Sequence, residues 1–328
     1  MSFKNIVVIG GGTGSFTVLS GLKVFRNLNL HAIVTMADNG GSTGKLRDEL
    51  GVLPPGDARQ CLVALAESSD ILRDLFNYRF DSGELSGHNF GNLFLSALEK
   101  ITGNFEEAVK TASAILSIRG QVIPVTTENI HLSMTLANGE TLLGESAIAT
   151  CDVISHHTVS HIELLPKTEI NPKAYDAIMK ADSVIIGPGN FYCSLVPAMI
   201  VPGMKEALSN TSAQIIYNVN LMSKTGHSNG WSVEEHIQQL HRFIGAEVID
   251  IALYNTTHPN KDLIERYKEE GLPVQRDTNT SYIGKTALIG EDLIADTLFI
   301  NQHKKDPIRR TFIRHDSLKL AEALYRLI

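Results

Sequence analysis

Short apolar runs alternate with amphipathic segments along the first third of the chain. The apolar runs are largely continuous, which is typical of strands that are covered on both faces. Alternation of such strands with helices predicts a parallel sheet. The predicted elements are a strand at residues 5–10, a helix at 15–25, a strand at 30–38, a loop at 39–57, a long helix at 58–80, and helices at 89–101 and 104–116.

The middle of the chain has a different pattern. Residues 120 to about 166 are rich in β-branched side chains, and Asn138-Gly139 separates two alternating runs, which predicts a hairpin. The earlier pattern then returns, with strands at 183–187, 213–220 and 248–255 and a helix after the capping box of Ser232 and Glu235. We predict one Rossmann-like α/β domain over residues 1–328, with a mostly parallel sheet, helices on both faces and a β-rich insertion at about 120–166.

The amino-acid composition indicates an ordinary soluble domain and disfavours several other classes of protein. Apolar residues make up 43% and charged residues 20%, as in ordinary soluble domains, and the net charge of −7 argues weakly against a nucleic-acid partner. The three cysteines, Cys61, Cys151 and Cys193, are too few for a disulfide framework or a zinc pattern, which favours a reducing compartment. The first apolar run is a strand rather than a signal peptide, and no run reaches the ~20 residues of a membrane span.

The first glycine cluster follows the first predicted strand. Gly10, Gly11, Gly12 and Gly14 lead into a predicted helix near Ser15, whose free N–H groups and positive dipole end favour an anion. The dinucleotide fingerprint requires a third glycine where Ser15 stands, so the match to that motif fails. The alternative is a tight turn that binds nothing.

The second cluster, "ADNGGSTGKLRDELGVLPPGDARQ", contains a near match to a P-loop. The match fails because Asn39 replaces a glycine and Leu46 stands where Ser or Thr is needed. Asp38 remains at the carboxyl end of a strand, where a carboxylate could accept from a ribose hydroxyl or coordinate a cation. For Asp57 the simpler alternative is a helix N-cap.

Two arginines and a third cluster add polar candidates. Arg47 and Arg59 could bind phosphate in bidentate fashion, or they could belong to a solvated helix face. The cluster "SGHNFGNLF" places His88, Asn89 and Asn92 beside a predicted helix start, as in a polar pocket lining. A lone histidine is more often structural than catalytic.

The fourth cluster, "IIGPGNFYCSLVP", repeats the pattern of the first. A buried strand is followed by Gly187-Pro188-Gly189 and by a predicted helix from about Phe191. A second helix N-terminus at the same sheet edge would allow two loops to hold one ligand between them. Cys193 lies there, but no histidine is near it in sequence, which disfavours a nucleophile.

These four clusters and "NVNLMSKTGHSNGWSVEEH" (residues 218–236) together resemble the YvcK group of the CofD-like proteins, the gluconeogenesis factors, over nearly the whole chain. The resemblance implies a cytoplasmic bacterial protein with a role in cell shape and in growth on gluconeogenic carbon sources. It also implies a nucleotide-sugar ligand such as UDP-N-acetylglucosamine, no required cofactor, and a protein partner in cell-wall synthesis. It leaves a homo-oligomer open.

The resemblance carries site residues over to this chain and assigns no catalytic residue. Cys193 departs from the family, which more often has threonine there. The implied ligand-binding residues are Gly11, Gly12, Thr13, Gly14, Asp38, Asn39, Gly40, Asp57, Asn89, Asn92, Gly187, Gly189, Asn190 and, in "FIRHD", Arg314.

The enzymatic relatives, the 2-phospho-L-lactate transferases, use a divalent cation held by aspartates to transfer a phosphorus-containing group. Asp38 and Asp57 are the candidate metal ligands here, and no third ligand is evident in the sequence. Magnesium retains water and phosphate ligands, so two carboxylates leave it open. The loops "ADNGGSTG" and "GHNFGNL" belong to the non-transferase group. We therefore favour a regulatory nucleotide-sugar-binding protein, with a metal-dependent phospho-group transferase as the alternative.

Overall fold

The computed structural model describes residues 3–151, 154, 159–295 and 313–328. Its centre is an eight-stranded sheet of order β10-β11-β9-β8-β7-β1-β2-β3, in which neighbours are parallel except for β10 and β11. The strands of this sheet are β1 (Lys4–Gly10), β2 (Leu28–Val34), β3 (Gln121–Pro124), β7 (Ser183–Ile186), β8 (Gln214–Asn218), β9 (Ile251–Asn255), β10 (Tyr282–Ile283) and β11 (Thr286–Glu291).

Helices connect and cover the strands. Among the described residues, no helix is both long and apolar enough to cross a membrane. The helices are α1 (Gly12–Leu22), α2 (Gly41–Leu50), α3 (Gly56–Leu65), α4 (Asp70–Asn77), α5 (Phe90–Thr102), α6 (Phe105–Ile115), α7 (Glu145–Ala149), α8 (Pro172–Met179), α9 (Val196–Met199), α10 (Met204–Asn210), α11 (Val233–Ile244), α12 (Lys261–Tyr267) and α13 (Ser317–Leu327), with a π-helical turn at Phe191–Leu195.

The central strands are buried on both faces. Ile6, Val7, Val8 and Ile9 of β1 are all fully buried, which explains why this run is continuously apolar. On one side of the molecule α1 packs against α3 and α13. The predicted α/β fold with a mostly parallel, helix-flanked sheet is confirmed, whereas the assignment of one domain stays a prediction.

The insertion forms a separate three-stranded antiparallel sheet of order β5-β4-β6. Its strands are β4 (His131–Leu136), β5 (Thr141–Leu143) and β6 (Val159–Leu165). The turn between β4 and β5 contains Asn138-Gly139, as the hairpin signal predicted, and the Leu136 N–H donates to the Glu140 carbonyl at 2.8 Å. The short helix α7 follows β5.

Two sequence predictions were wrong in detail. The predicted long helix at 58–80 is two helices, α3 and α4. The backbone becomes extended at Ala66, and the Glu67 N–H donates to the Ser117 carbonyl instead of continuing α3. The predicted loop at 39–57 contains α2, whose only strongly apolar buried side chain is Leu46, so the helix has little hydrophobic periodicity.

The strand order reverses direction at β1. β2 and β3 lie on one side of it, and β7, β8 and β9 lie on the other. β1 and β7 are neighbours in the sheet, but the chain continues from them in opposite directions at the carboxyl edge. The connection after β1 leads to β2 on one side, and the connection after β7 leads to β8 on the other. Such a switch point is where open α/β sheets bind ligands.

Candidate functional site

The first loop is built around the Asp57 carboxylate. The Gly12 N–H donates to Asp57 Oδ1 at 2.7 Å. A Cβ on Gly11 would lie 2.2 Å from Asp57 Oδ2, so any side chain at Gly11 would displace this carboxylate. Gly12 has a φ of +61°, a conformation that glycine adopts at little cost, and beyond Asp57 its surroundings are open.

The second loop holds Asp38 in place from two directions. The Gly40 N–H donates to Asp38 Oδ1 at 2.8 Å, and the Thr43 hydroxyl also donates to this carboxylate. A Cβ on Gly56 would lie 2.8 Å from Asp38 Oδ2. Burial raises the pKa of Asp38, and these donors, with Arg47 and Arg59, oppose the shift.

Asp38 and Asp57, which are 19 positions apart in sequence, influence each other's charge. Burial, and next the neighbouring Asp38 charge, raise the pKa of Asp57 to about 8, against the opposing Gly12 N–H and Arg59. Two close carboxylates cannot both ionise cheaply, so the Asp38 and Asp57 pair holds a proton more tightly than isolated aspartates do. The fold thus brings together the two acids that the sequence singled out.

Asp57 is not an N-cap, the simpler alternative for it. Pro55 occupies that position and α3 begins at Gly56, so Asp57 lies in the first turn of α3. Its carboxylate accepts from the Gly12 N–H of α1. The residue joins two helix N-termini.

Arg47 and Arg59 are both buried, and their hydrogen bonds hold the loops of the site in place. Arg47 donates to the carbonyls of Asp38 and Ile130, each at 2.8 Å, and so fastens the second loop to the insertion. Arg59 donates to Asn92 Oδ1 at 3.0 Å and to Asn77 Oδ1 at 2.7 Å. Neither belongs to a solvated helix face, and both lower the electrostatic cost of the carboxylates.

The third cluster supports the second loop. Asn89 is the N-cap of α5 and accepts from the Asn92 N–H at 3.1 Å. The Ser42 hydroxyl lies 3.2 Å from His88 Nδ1 and accepts from the Asn89 N–H at 3.3 Å. Because their side chains already have protein partners, His88 and Asn89 shape the walls of the site. Ligand contact by Asn89 and Asn92 stays a prediction.

The fourth loop is held by Asn220, a residue that none of the glycine-rich clusters contains. The Gly189 N–H donates to Asn220 Oδ1 at 3.2 Å, and Asn220 Nδ2 donates to the Gly189 carbonyl at 2.8 Å. Asn190 Oδ1 accepts from the Cys193 N–H at 3.4 Å as the cap of the next turn. That turn is π-helical and α9 has four residues, so the predicted second anion-binding helix N-terminus is not a full helix.

Cys193 is unsuited to nucleophilic attack. Burial, followed by the nearby Glu145 charge, raises the pKa of its thiol well above the ordinary value. A thiol of this kind has almost no thiolate at neutral pH. All three cysteines are free, as predicted.

The structure adds Glu145, which nothing in the local sequence indicated. Asn39 Oδ1 accepts from the Ser146 N–H at 2.8 Å and thereby fixes the start of α7 beside the second loop. Burial, and next the Asp38 charge, raise the pKa of Glu145. The contact joins residues 107 positions apart, so no spacing rule could have found it.

Arg314 lies in the segment between β11 and α13. Its carbonyl accepts from the Ala295 N–H at 3.0 Å, and the next residue, His315, pairs with Ile294. A ligand role for Arg314 stays a prediction. Within the described ranges, no group of three His, Cys, Asp or Glu side chains is arranged to hold a metal, so Asp38 and Asp57 remain the candidate pair.

Comparison with known proteins agrees with this architecture. The family model described as 2-phospho-L-lactate transferase CofD matches residues 6–294. A protein named gluconeogenesis factor from Bacillus subtilis strain 168 is 35% identical over 326 residues, covering 98% of each chain. Another of that name from Halalkalibacterium halodurans is 36% identical over 327 residues, covering 99% of this chain and 96% of its own.

A solved structure agrees as well. The crystal structure of a UPF0052 family member from Bacillus halodurans matches with a TM-score of 0.89 at 34% identity, covering 99% of this chain and 100% of that one. The resemblance seen in the glycine-rich clusters is confirmed, and the chain belongs to the CofD family, among the relatives named gluconeogenesis factors.

Proposed function

We propose that this protein binds a nucleotide sugar, such as UDP-N-acetylglucosamine, at the switch point between β1 and β7 and acts as a regulator of growth on gluconeogenic carbon sources. The observation that carries the proposal is the position of the first loop. It leaves β1 at the reversal of strand order and enters the 11-residue helix α1 at once. Loops of this kind bind the phosphates of nucleotides.

The charges suggest how the ligand is oriented. Phosphate is favoured at the N-terminal turn of α1, near Gly12 and Thr13, because of the N–H groups and the helix dipole there. Asp38 repels phosphate and suits a neutral group that donates hydrogen bonds, which sugar hydroxyls do. Phosphates and sugar would therefore bind at different parts of the site.

The regulatory role rests on the relatives. Those from B. subtilis and H. halodurans are named gluconeogenesis factors. We extend that role to this chain, together with an effect on cell shape and a protein partner in cell-wall synthesis.

The alternative function is a metal-dependent phospho-group transferase. One observation favours it, namely the coupled Asp38 and Asp57 carboxylates, which suit a divalent cation because ionisation of both becomes favourable beside its charge. The family model itself carries the name of a transferase. In that case the cation would neutralise developing charge on the transferred group.

Calorimetric titration of the full chain tests the proposal. The ligands are UDP, UDP-N-acetylglucosamine, UDP-glucose and NAD, each first with EDTA and then with magnesium. We expect a UDP-sugar to bind with EDTA present and to be recovered intact after incubation, as seen by phosphorus NMR. Absence of binding by every nucleotide would overturn the proposal, and magnesium-dependent turnover would favour the transferase.

A further inference from the structure

The β-rich insertion contributes a side chain to the edge of the site. Helix α7 begins at Glu145, and its start is fixed by the bond from the Ser146 N–H to Asn39. The fit is close, since a Cβ on Gly144 would lie 2.4 Å from Asn39 Nδ2. The insertion is therefore docked on the second loop through a specific contact.

The other end of α7 is fixed as well. Lys224 Nζ donates to the Ala149 carbonyl at 2.8 Å, and His227 Nε2 lies 3.0 Å from the Ile148 carbonyl. Both residues belong to the segment that follows β8 in the main sheet. Because both ends of this five-residue helix are held, the position of Glu145 is set by the core of the protein.

This arrangement places the Glu145 carboxylate near Gly40, as Asp38 is. A Cβ on Gly40 would lie 3.3 Å from Asp38 Oδ1 and 3.9 Å from Glu145 Oε2. These two oxygens are therefore within about 7 Å of each other. Both acceptors therefore border the same small region beside Gly40, where the hydroxyls of one sugar could meet them.

Among the described residues, Glu145 forms no ion pair, although the nearby Lys224 ammonium lowers the pKa of its carboxyl and partly offsets the effect of burial. Lys224 Nζ itself donates to the Ala149 carbonyl at 2.8 Å. The side-chain partner of Glu145 is the Cys193 thiol, a weak donor. A half-buried carboxylate without a strong donor is costly to maintain, so a donor from outside the chain would stabilise it.

We propose that Glu145 is a specificity-determining residue that accepts a hydrogen bond from a hydroxyl of the ligand's sugar, so that the insertion distinguishes a nucleotide sugar from the bare nucleotide. This inference rests on the proposed function. A phosphate is the wrong group for this position, because it would meet the negative charges of Glu145 and Asp38 together. A hydroxyl donates to a carboxylate without that repulsion.

The test compares UDP with UDP-N-acetylglucosamine on the full-length protein in EDTA, by calorimetry. In Glu145→Gln we expect affinity for UDP-N-acetylglucosamine to fall about tenfold, as for loss of a charge-assisted hydrogen bond, while affinity for UDP is unchanged or higher. Glu140→Gln is the control, since Glu140 is exposed in the same insertion and should change neither affinity. Glu145→Asp keeps the charge and should give a smaller loss.

The outcomes separate this inference from the proposed function. An unchanged ratio of the two affinities, or an equal loss for both ligands, would overturn the role of Glu145 while nucleotide-sugar binding stands. An effect of Glu145→Gln that appears only with magnesium would also overturn it, in favour of a metal ligand. If the unmodified protein binds neither nucleotide, the proposed function fails and the role of Glu145 fails with it.

Discussion

The backbone of Gly14 lies against the carbonyl of Pro188, so closely that a Cβ on Gly14 would lie 1.9 Å from the Pro188 oxygen. The first and fourth loops are thus in direct contact at the switch point. Gly14 is required here for close packing between loops, and the open space belongs to Gly12. The ligand surface of the first loop is therefore nearer Gly12 than Gly14.

Gly14→Ala should destabilise the protein by about 3 kcal/mol, the upper end of the usual overpacking cost, because the methyl group meets backbone atoms that cannot move without separating the loops. Gly83→Ala is the control. Gly83 has a φ of +71° with nothing within 4 Å of its Cβ position, so it should cost only about 1 kcal/mol of strain. Urea denaturation measures both. Equal losses in the two variants would contradict the packing argument.

Asn218→Val should stabilise the protein. Asn218 ends β8, is fully buried, and neither Nδ2 nor Oδ1 has a hydrogen-bond partner among the described residues. Replacing an unsatisfied buried amide by an apolar group of similar size recovers its desolvation cost, which is roughly 1–3 kcal/mol.

Asn220→Ala should have the opposite effect on stability. It removes two hydrogen bonds between Asn220 and Gly189 and should therefore destabilise the protein. The measurement is the free energy of unfolding in urea for each variant. Destabilisation by Asn218→Val would show that the amide has partners that matter.

The fold was largely predictable from sequence because its central strands are continuous apolar runs. Ile6–Ile9 and Val184–Ile186 are fully buried, and continuous apolar runs of this length are typical of strands that are covered on both faces. The predictions failed where apolar periodicity is weak or misleading. Helix α2 reads GSTGKLRDEL, which resembles a polar loop, and the pattern of residues 58–80 spans a break at Ala66 without signalling it.

The site was predictable as far as its residues are close in sequence to a strand end. Asp38 follows β2, and the glycines follow β1 and β7, so a general rule for parallel sheets places them. Contacts between segments that are far apart in sequence could not be predicted from local patterns. The Asn39–Ser146 bond depends on how the insertion docks, and that docking is decided by side chains such as Lys224 far along the chain.

The protein should lose stability as the pH falls below about 6.5, partly because of His236. This ring is fully buried against Tyr217, and burial lowers its pKa to about 4. The unfolded chain binds a proton at the ordinary pKa of 6.5 that the folded chain resists, so this contribution to stability is present above pH 6.5 and is lost as the pH falls towards 4. The loss amounts to about 3 kcal/mol for this one group.

The variant His236→Phe isolates this contribution. It removes the bond to Tyr217 and so shifts stability at neutral pH, but it should also reduce the slope of unfolding free energy between pH 6.5 and 4. His258→Gln, a substitution at an exposed histidine, is the matched control. A slope in His236→Phe equal to that of the unmodified protein would refute the assignment.

Asp38→Asn separates the two candidate functions. If Asp38 accepts a hydrogen bond from a sugar hydroxyl, the amide keeps one acceptor and loses the charge. Affinity for UDP-N-acetylglucosamine should then weaken by roughly 1–3 kcal/mol, equally with magnesium and with EDTA. The exposed Asp48 on the same helix as Thr43 provides the control, and Asp48→Asn should change nothing.

If Asp38 holds a metal ion instead, the variant should lose only the magnesium-dependent part of the affinity, together with any turnover. In the unmodified protein, the two functions differ in whether a chelator lowers the affinity for UDP-N-acetylglucosamine. We expect EDTA to leave UDP-N-acetylglucosamine affinity nearly unchanged, since a hydroxyl contact needs no cation. A loss of about tenfold or more on chelation, equivalent to ~1.4 kcal/mol, would make the coupled Asp38 and Asp57 pair a metal site and would favour the transferase.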